Sequence, residues 1–217
     1  LVVDIDPQAN ATSGLGVDPV TTRETMYDVF MSGIEGYPVK KISQIIIRTQ
    51  SGIDLAPSTL DLVGVEPFLY PLENRYGILR SQLDGIRNNY DFILVDTPPS
   101  MGQFVINGLI AADKVIITFD RGIFSLQGLH AIEMIFQDIA DIIGSTVHAD
   151  LAILARWKGG TGQQRENGFI RMLKRWFPDM PGEETFEEDR LLHDAEELIK
   201  KEIPVVFTVP YSNLVYE

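Results

Sequence analysis

Tyr90-Asp91-Phe92-Ile93-Leu94-Val95-Asp96-Thr97-Pro98-Pro99-Ser100 is an apolar run that carries one carboxylate, Asp96, to its end and stops at a stiff Thr-Pro-Pro turn. Its apolar residues are consecutive rather than alternate, the pattern of a strand covered on both faces in a parallel sheet between helices. Similar runs recur along the chain. Strands are expected at Leu1 to Asp6, Ile53 to Ala56, Phe92 to Asp96, Lys114 to Phe119, Leu151 to Ala155 and Val205 to Val209. Helical patterns lie between them, at Thr25 to Met31, Leu60 to Leu69, Tyr76 to Asn88, Gln103 to Ala111, Ser125 to Ile143, Gln163 to Trp176 and Leu191 to Glu202. That alternation predicts the α/β class, a mostly parallel sheet flanked by helices in three layers. Ser125 suits the N-cap of the longest helix and Gly144 its C-terminal stop.

The length of 217 residues suits one buried domain spanning positions 1–217. The hydrophobic fraction of 45% and charged fraction of 23% are ordinary for a globular chain, and no apolar run approaches the ~20 residues of a membrane span. There is no cysteine, which removes disulfides, thiolate zinc sites and thiolate-held iron–sulfur clusters and points to the cytoplasm. His130, His148 and His193 are too scattered for a metal set. A net charge of −13 argues against a broad nucleic-acid face while permitting a local basic patch. Arg171, Lys174 and Arg175 form the densest such patch, with a solvated helix face as the plainer reading. The stretch from Pro178 to Asp189 reads as an acidic surface loop. Trp157 reads as packing or as one wall of a base pocket.

In open parallel sheets ligands bind beyond the carboxyl ends of the strands, so polar residues there carry the chemistry. Asp4-Ile5-Asp6-Pro7-Gln8 sets two carboxylates on one face of a strand that Pro7 ends. Such a pair repels itself unless a cation or a polar network lies between. It reads either as catalytic or as a cap for the segment that follows. Asp96 before Thr97-Pro98-Pro99 is a Walker B pattern, in which a carboxylate holds Mg²⁺ through water and the turn senses a γ-phosphate.

Taken together, Val3-Asp4-Ile5-Asp6-Pro7-Gln8-Ala9-Asn10-Ala11-Thr12-Ser13-Gly14-Leu15-Gly16, Leu55-Ala56-Pro57-Ser58 with Asp61-Leu62, Asp91 to Ser100, Ser125 to Leu129 and Thr208-Val209-Pro210 resemble the ParA/MinD-type P-loop ATPases. The ParA partition ATPases are the nearest branch. The resemblance implies ATP and Mg²⁺ as cofactors. It makes Asp6 the residue that orients or activates the attacking water, Asp4 its support near the metal, and Asp96 the metal-side acid. It puts Asn10 and Thr12 near the first switch, Thr97, Pro98 and Pro99 in the second, and Pro210 with Tyr211 beside the adenine. It further implies a nucleotide-dependent homodimer, a ParB-like partner, and non-specific DNA binding through Arg171, Lys174 and Arg175 that is nucleotide-dependent and weakened by salt.

Two departures stand out. Ala9 occupies a position that is usually glycine in the family, and no G-x-x-x-x-G-K-[ST] phosphate loop or variant of it occurs in the chain. Gly159-Gly160-Thr161-Gly162 is the only glycine cluster, and it reads as a surface turn. The chain is therefore expected to be truncated at its N-terminus, and at its C-terminus too, and alone to neither bind ATP tightly nor hydrolyse it. The family places the phosphate-loop strand beside the one ending at Asp96. An open, strand-wide slot is expected there, with Asp6 and Asp96 facing one crevice. The competing readings are a non-catalytic scaffold that has lost the loop, a MinD-like membrane-cycling ATPase, and a relative of the cobyrinic acid synthases.

Overall fold

The β-branched run at the start of the chain forms strand β1, Val2–Asp4, flanked on one side by β3, Asp54–Ala56, and on the other by β4, Leu94–Asp96. Both pairings are parallel, with Val2 opposite Leu55 on one flank and Asp4 opposite Asp96 on the other. A short β2, Ile47–Arg48, adds to the far side of β3 as an antiparallel neighbour. This computed structural model describes residues 1–99, 102–120, 134, 136–142, 144, 146–156, 199 and 203–210, and they divide into two compact units.

The first unit contains residues 1–113 and 139–145. Its crossovers are built from α1, Asn10–Gly14, α2, Met26–Phe30, and α3, Ile42–Ile45, between β1 and β2, then α4, Glu66–Leu69, and α5, Ile78–Asp84, between β3 and β4. Helix α6, Gln103–Ala111, follows β4. Thr25 starts α2 with a capping box: its hydroxyl accepts the Tyr27 N–H, and the Asp28 carboxylate accepts the Thr25 N–H. The core is continuous from Val3 on β1 and Ile5 just after it to Met26, Val29 and Phe30 on α2 and Phe104 on α6. The rings of Phe30 and Phe104 meet edge to face at 5.1 Å.

The second unit contains residues 114–138 and 146–217, and its described strands form a separate parallel sheet. Here β6, Leu151–Arg156, lies between β5, Ile116–Asp120, and β7, Val205–Pro210. Ala149, Ala152, Ile199 and Ile203 are its buried centre.

The strand and α6 expectations agree with these elements to within a few residues, and three local departures have physical causes. The run from Leu60 to Leu69 is not one helix. It divides into a 3₁₀ segment, Leu60–Gly64, and α4, because Pro67 has no N–H for the Val63 carbonyl and its ring would clash there. The run from Tyr76 to Asn88 shortens to α5 and a 3₁₀ turn, Arg87–Asn89, bracketed by Gly77 and Gly85, which are poor helix formers. Strand β2 and helices α1 and α3 carry no sequence periodicity, being two, five and four residues long. Gly144 takes the left-handed conformation (φ 66°) that suits a helix stop, while Ser125, Gln163 to Trp176, Gly159 to Gly162 and Pro178 to Asp189 lie outside the described residues.

Among the described strands β4 is hydrogen-bonded to β1 alone. Leu94 on this strand and Phe92 just before it are 56% and 80% exposed. Within this unit the side of β4 away from β1 is an edge carrying exposed apolar side chains, and the second wall that the expected strand-wide slot requires is not part of the unit.

Candidate functional site

Strand order reverses at β1, since the chain passes from β1 to β3 on one flank and returns to β4 on the other. The crevice beyond the carboxyl ends of β1 and β4 is therefore the place where such sheets bind ligands. Asp4, Asp6 and Asp96 converge there. Asp4 and Asp96 are register partners, and the Ile5 N–H donates to the Asp96 carbonyl at 2.9 Å, which carries the pairing up to Asp6.

Asp6 is 7% exposed and shapes the turn that follows it. Its Oδ1 accepts the Gln8 N–H at 2.9 Å, and its carbonyl accepts the Ala9 N–H at 2.9 Å, an Asx-type turn. Among the described residues its Oδ2 accepts no hydrogen bond. One oxygen of this carboxylate is thus held by the backbone, while the other has no partner among the described residues. Asp4 is fully buried, and its two oxygens meet three donors: Asp6 N–H at 3.1 Å, Thr12 N–H at 2.8 Å and Thr12 Oγ1–H at 2.7 Å. Burial raises the Asp4 carboxyl above its ordinary range, the Thr12 and Asp6 donors pull it back, and the Asp6 charge adds to the rise. Asp96 is half-buried, and its carboxyl is raised first by burial and then by the charges of Asp4 and Asp6.

Three carboxylates gathered at these strand ends have no counter-charge among the described residues, and a cation beyond the strand ends fits that need. Among the described residues no group of three His, Cys, Asp or Glu is arranged as a metal cage. Mg²⁺ commonly sits in such sites on one or two carboxylates, with water and phosphate oxygens completing its shell. Asn10 is exposed at the first position of α1, and Thr97 and Pro98 are half-buried beyond Asp96, with Pro99 exposed. Thr12, expected among the nucleotide contacts, is fully buried and turns its hydroxyl inward to Asp4. Pro210 ends β7 in the second unit. Tyr211, Trp157, Arg171, Lys174 and Arg175 lie outside the described residues.

Ala9 is the one non-glycine residue with a positive φ among those described, at φ 53° and ψ 37°. It is buried at the entry to α1, where the left-handed conformation costs an alanine about 1–2 kcal/mol. Replacing a buried alanine by glycine ordinarily costs about 1 kcal/mol in methyl burial and about as much in chain entropy. Here relief of strain offsets that cost, so Ala9→Gly is expected to change stability by less than about 1 kcal/mol in urea unfolding. A loss of about 2 kcal/mol would show that the conformation is unstrained.

Two residues not singled out above fix α6, the helix that follows β4. Asn107 is fully buried in α6, accepts the Leu79 N–H at 3.2 Å and donates to the carbonyls of Arg75 and Gln103 at 2.7 and 2.8 Å. Glu66 accepts the Gln103 N–H at 3.2 Å, a negative charge at the start of α6. An asparagine inside the apolar run Phe104 to Ala111 was the available signal. Gly108 gives α6 its close approach: a Cβ there would lie 2.9 Å from the Thr97 methyl and 3.5 Å from Ile5 Cδ1. Gly108→Val is expected to destabilise by about 2 kcal/mol through overpacking, read by urea unfolding. An unchanged midpoint would mean that Thr97 moves aside freely.

The fold and its acidic strand ends define the class of ParA/MinD-type P-loop nucleotide hydrolases. Residues 1–151 match the family model of an AAA domain (AAA_31), and the chain belongs to that family. It is 37% identical over 129 residues to the sporulation initiation inhibitor protein Soj of Bacillus subtilis, covering 59% of this chain and 49% of Soj. Against the chromosome partitioning protein ParA of Caulobacter vibrioides it is 36% identical over 132 residues, 59% of this chain and 47% of that protein. The chain spans about half the length of these curated relatives. An uncharacterised protein of Methanocaldococcus jannaschii is 30% identical over 184 residues, 83% of this chain and 70% of that protein. The fold resembles a Mycobacterium smegmatis cobyrinic acid a,c-diamide synthase with bound ATP analogue and magnesium (TM-score 0.63, 22% identity, 92% of this chain and 81% of that one). It also resembles a variant of Cyanothece McdA in complex with ATP (TM-score 0.59, 21% identity, 91% and 77%). No helix of the described residues is long and apolar enough to cross a membrane.

Proposed function

We propose that the chain forms the water-side and metal-side half of a ParA-like switch ATPase, acting on Mg²⁺-ATP to partition DNA or position a cargo. The observation that carries this reading is Asp6: clamped on Oδ1 by the Gln8 N–H, without a partner on Oδ2 among the described residues, and beside Asp96 at a strand-order reversal. In it, Asp6 orients the attacking water through Oδ2 and takes up its proton, Asp4 supports the Asp6 turn, and Asp96 holds the metal through water. Bound Mg²⁺ would supply neutralisation of the charge on the transferred phosphoryl group. Asn10 lies at the first switch and Thr97, Pro98 and Pro99 at the second, while Pro210 and Tyr211 border the base. A nucleotide-dependent homodimer, a ParB-like partner and DNA contact through Arg171, Lys174 and Arg175 complete the proposal, in the cytoplasm. Mg²⁺-dependent ATP hydrolysis by the full gene product tests it. Tight nucleotide binding without turnover, or no binding at all, would favour a non-catalytic scaffold.

A further inference from the structure

Three segments far apart in sequence meet on the hydroxyl of Thr12. That hydroxyl donates to Asp4 Oδ2 at 2.7 Å, which leaves its lone pairs to accept, and it accepts the backbone N–H of Ser58 at 3.0 Å. Ser58 lies in the loop between β3 and the 3₁₀ segment Leu60–Gly64 and is fully buried, so water is not available to its N–H. The same loop is held at its other side, where the Pro57 carbonyl accepts the Met26 N–H at 2.8 Å. Asp4 in turn accepts the Asp6 N–H through Oδ1 at 3.1 Å. The path Asp6 backbone, Asp4 carboxylate, Thr12 hydroxyl, Ser58 backbone is thus continuous and buried.

We propose that Thr12 is a positioning residue for Asp6, its hydroxyl locking α1, the Asp6 turn and the Pro57–Thr59 loop into one unit. The catalytic part of this proposal rests on the ATPase reading, whereas the structural part does not. Valine has nearly the shape of threonine without the hydroxyl, so Thr12→Val removes a donor from Asp4 and the acceptor from the Ser58 N–H. Thr12→Ser keeps both.

The test is amide hydrogen exchange by NMR on the nucleotide-free chain, joined to turnover measured on the full gene product. Thr12→Val is expected to speed exchange of the Ser58 amide about tenfold and to lower ATP turnover about tenfold at unchanged KM, with Thr12→Ser restoring both. Equal Ser58 exchange in Thr12→Val and the natural protein overturns the proposal. So does a loss of turnover that serine does not rescue. If Thr12→Val fails to fold, the natural chain still decides: its Thr12 hydroxyl proton should exchange slowly and show an Overhauser contact to the Ser58 amide, and a freely exchanging hydroxyl refutes the lock. A natural protein without turnover refutes the ATPase reading, while the Ser58 amide still judges the lock.

Discussion

Asp6→Ala in the full gene product is expected to bind ATP as the natural protein does and to lose hydrolysis by about 10²–10⁴-fold. A carboxylate that orients a water and receives its proton acts in the transition state, so its removal lowers kcat with little effect on ground-state affinity. The local structure permits this separation. The Asp6 side chain accepts only the Gln8 N–H among the described residues, and Gln8 is exposed, so truncation leaves little unsatisfied polar surface. Asp4 remains bonded to the Asp6 N–H and to Thr12, because those contacts use the backbone of residue 6 and not its side chain. Binding measured with a fluorescent ATP analogue and single-turnover hydrolysis separate the outcomes. Parallel loss of affinity and turnover would assign Asp6 a structural role.

Asp96→Asn is expected to lower Mg²⁺-dependent turnover by about 10–100-fold, the usual effect of removing a group that orients a metal's water shell. The same change is expected to make the nucleotide-free chain more stable at neutral pH. The Asp96 carboxyl is raised in the folded chain by burial and by Asp4 and Asp6. Between its unfolded value, near 3.8, and its higher folded value the native state binds the extra proton, so stability falls as pH rises through that window. Above the window the ionised group costs stability that an uncharged asparagine does not. Below it both side chains are neutral, and the advantage of asparagine should vanish. Urea unfolding at acid and neutral pH checks the sign. A destabilised Asp96→Asn at neutral pH would mean that the carboxylate already has a counter-charge within the protein.

The acidic strand ends were legible because a buried parallel strand tolerates a carboxylate only at its tip, so Asp4, Asp6 and Asp96 stand out against the apolar residues before them. Their polar partners were not. Thr12 is eight residues from Asp4 and Ser58 is forty-six from Thr12, and no periodicity joins them. Glu66 reads as an ordinary helix residue, and Asn107 stands out only as a polar residue in an apolar run, until Gln103 and Leu79 supply the backbone groups they satisfy. Pro67 was visible in the sequence, yet the apolar pattern around it suggested a continuous helix, and steric exclusion at the Val63 carbonyl overrode that pattern.

The order of the longer elements, the α/β class and the residues able to carry chemistry follow from the sequence alone, since hydrophobic period and strand-end polarity are local properties. Tertiary structure decided which of those residues share a crevice and what each is free to do. Asp4 and Asp6 are two residues apart and chemically identical, yet Asp4 is enclosed by three donors while Asp6 keeps an oxygen without a described partner. The difference arises because β3 and α1 close over Asp4, where exclusion of water obliges every buried polar group to find a partner within the protein.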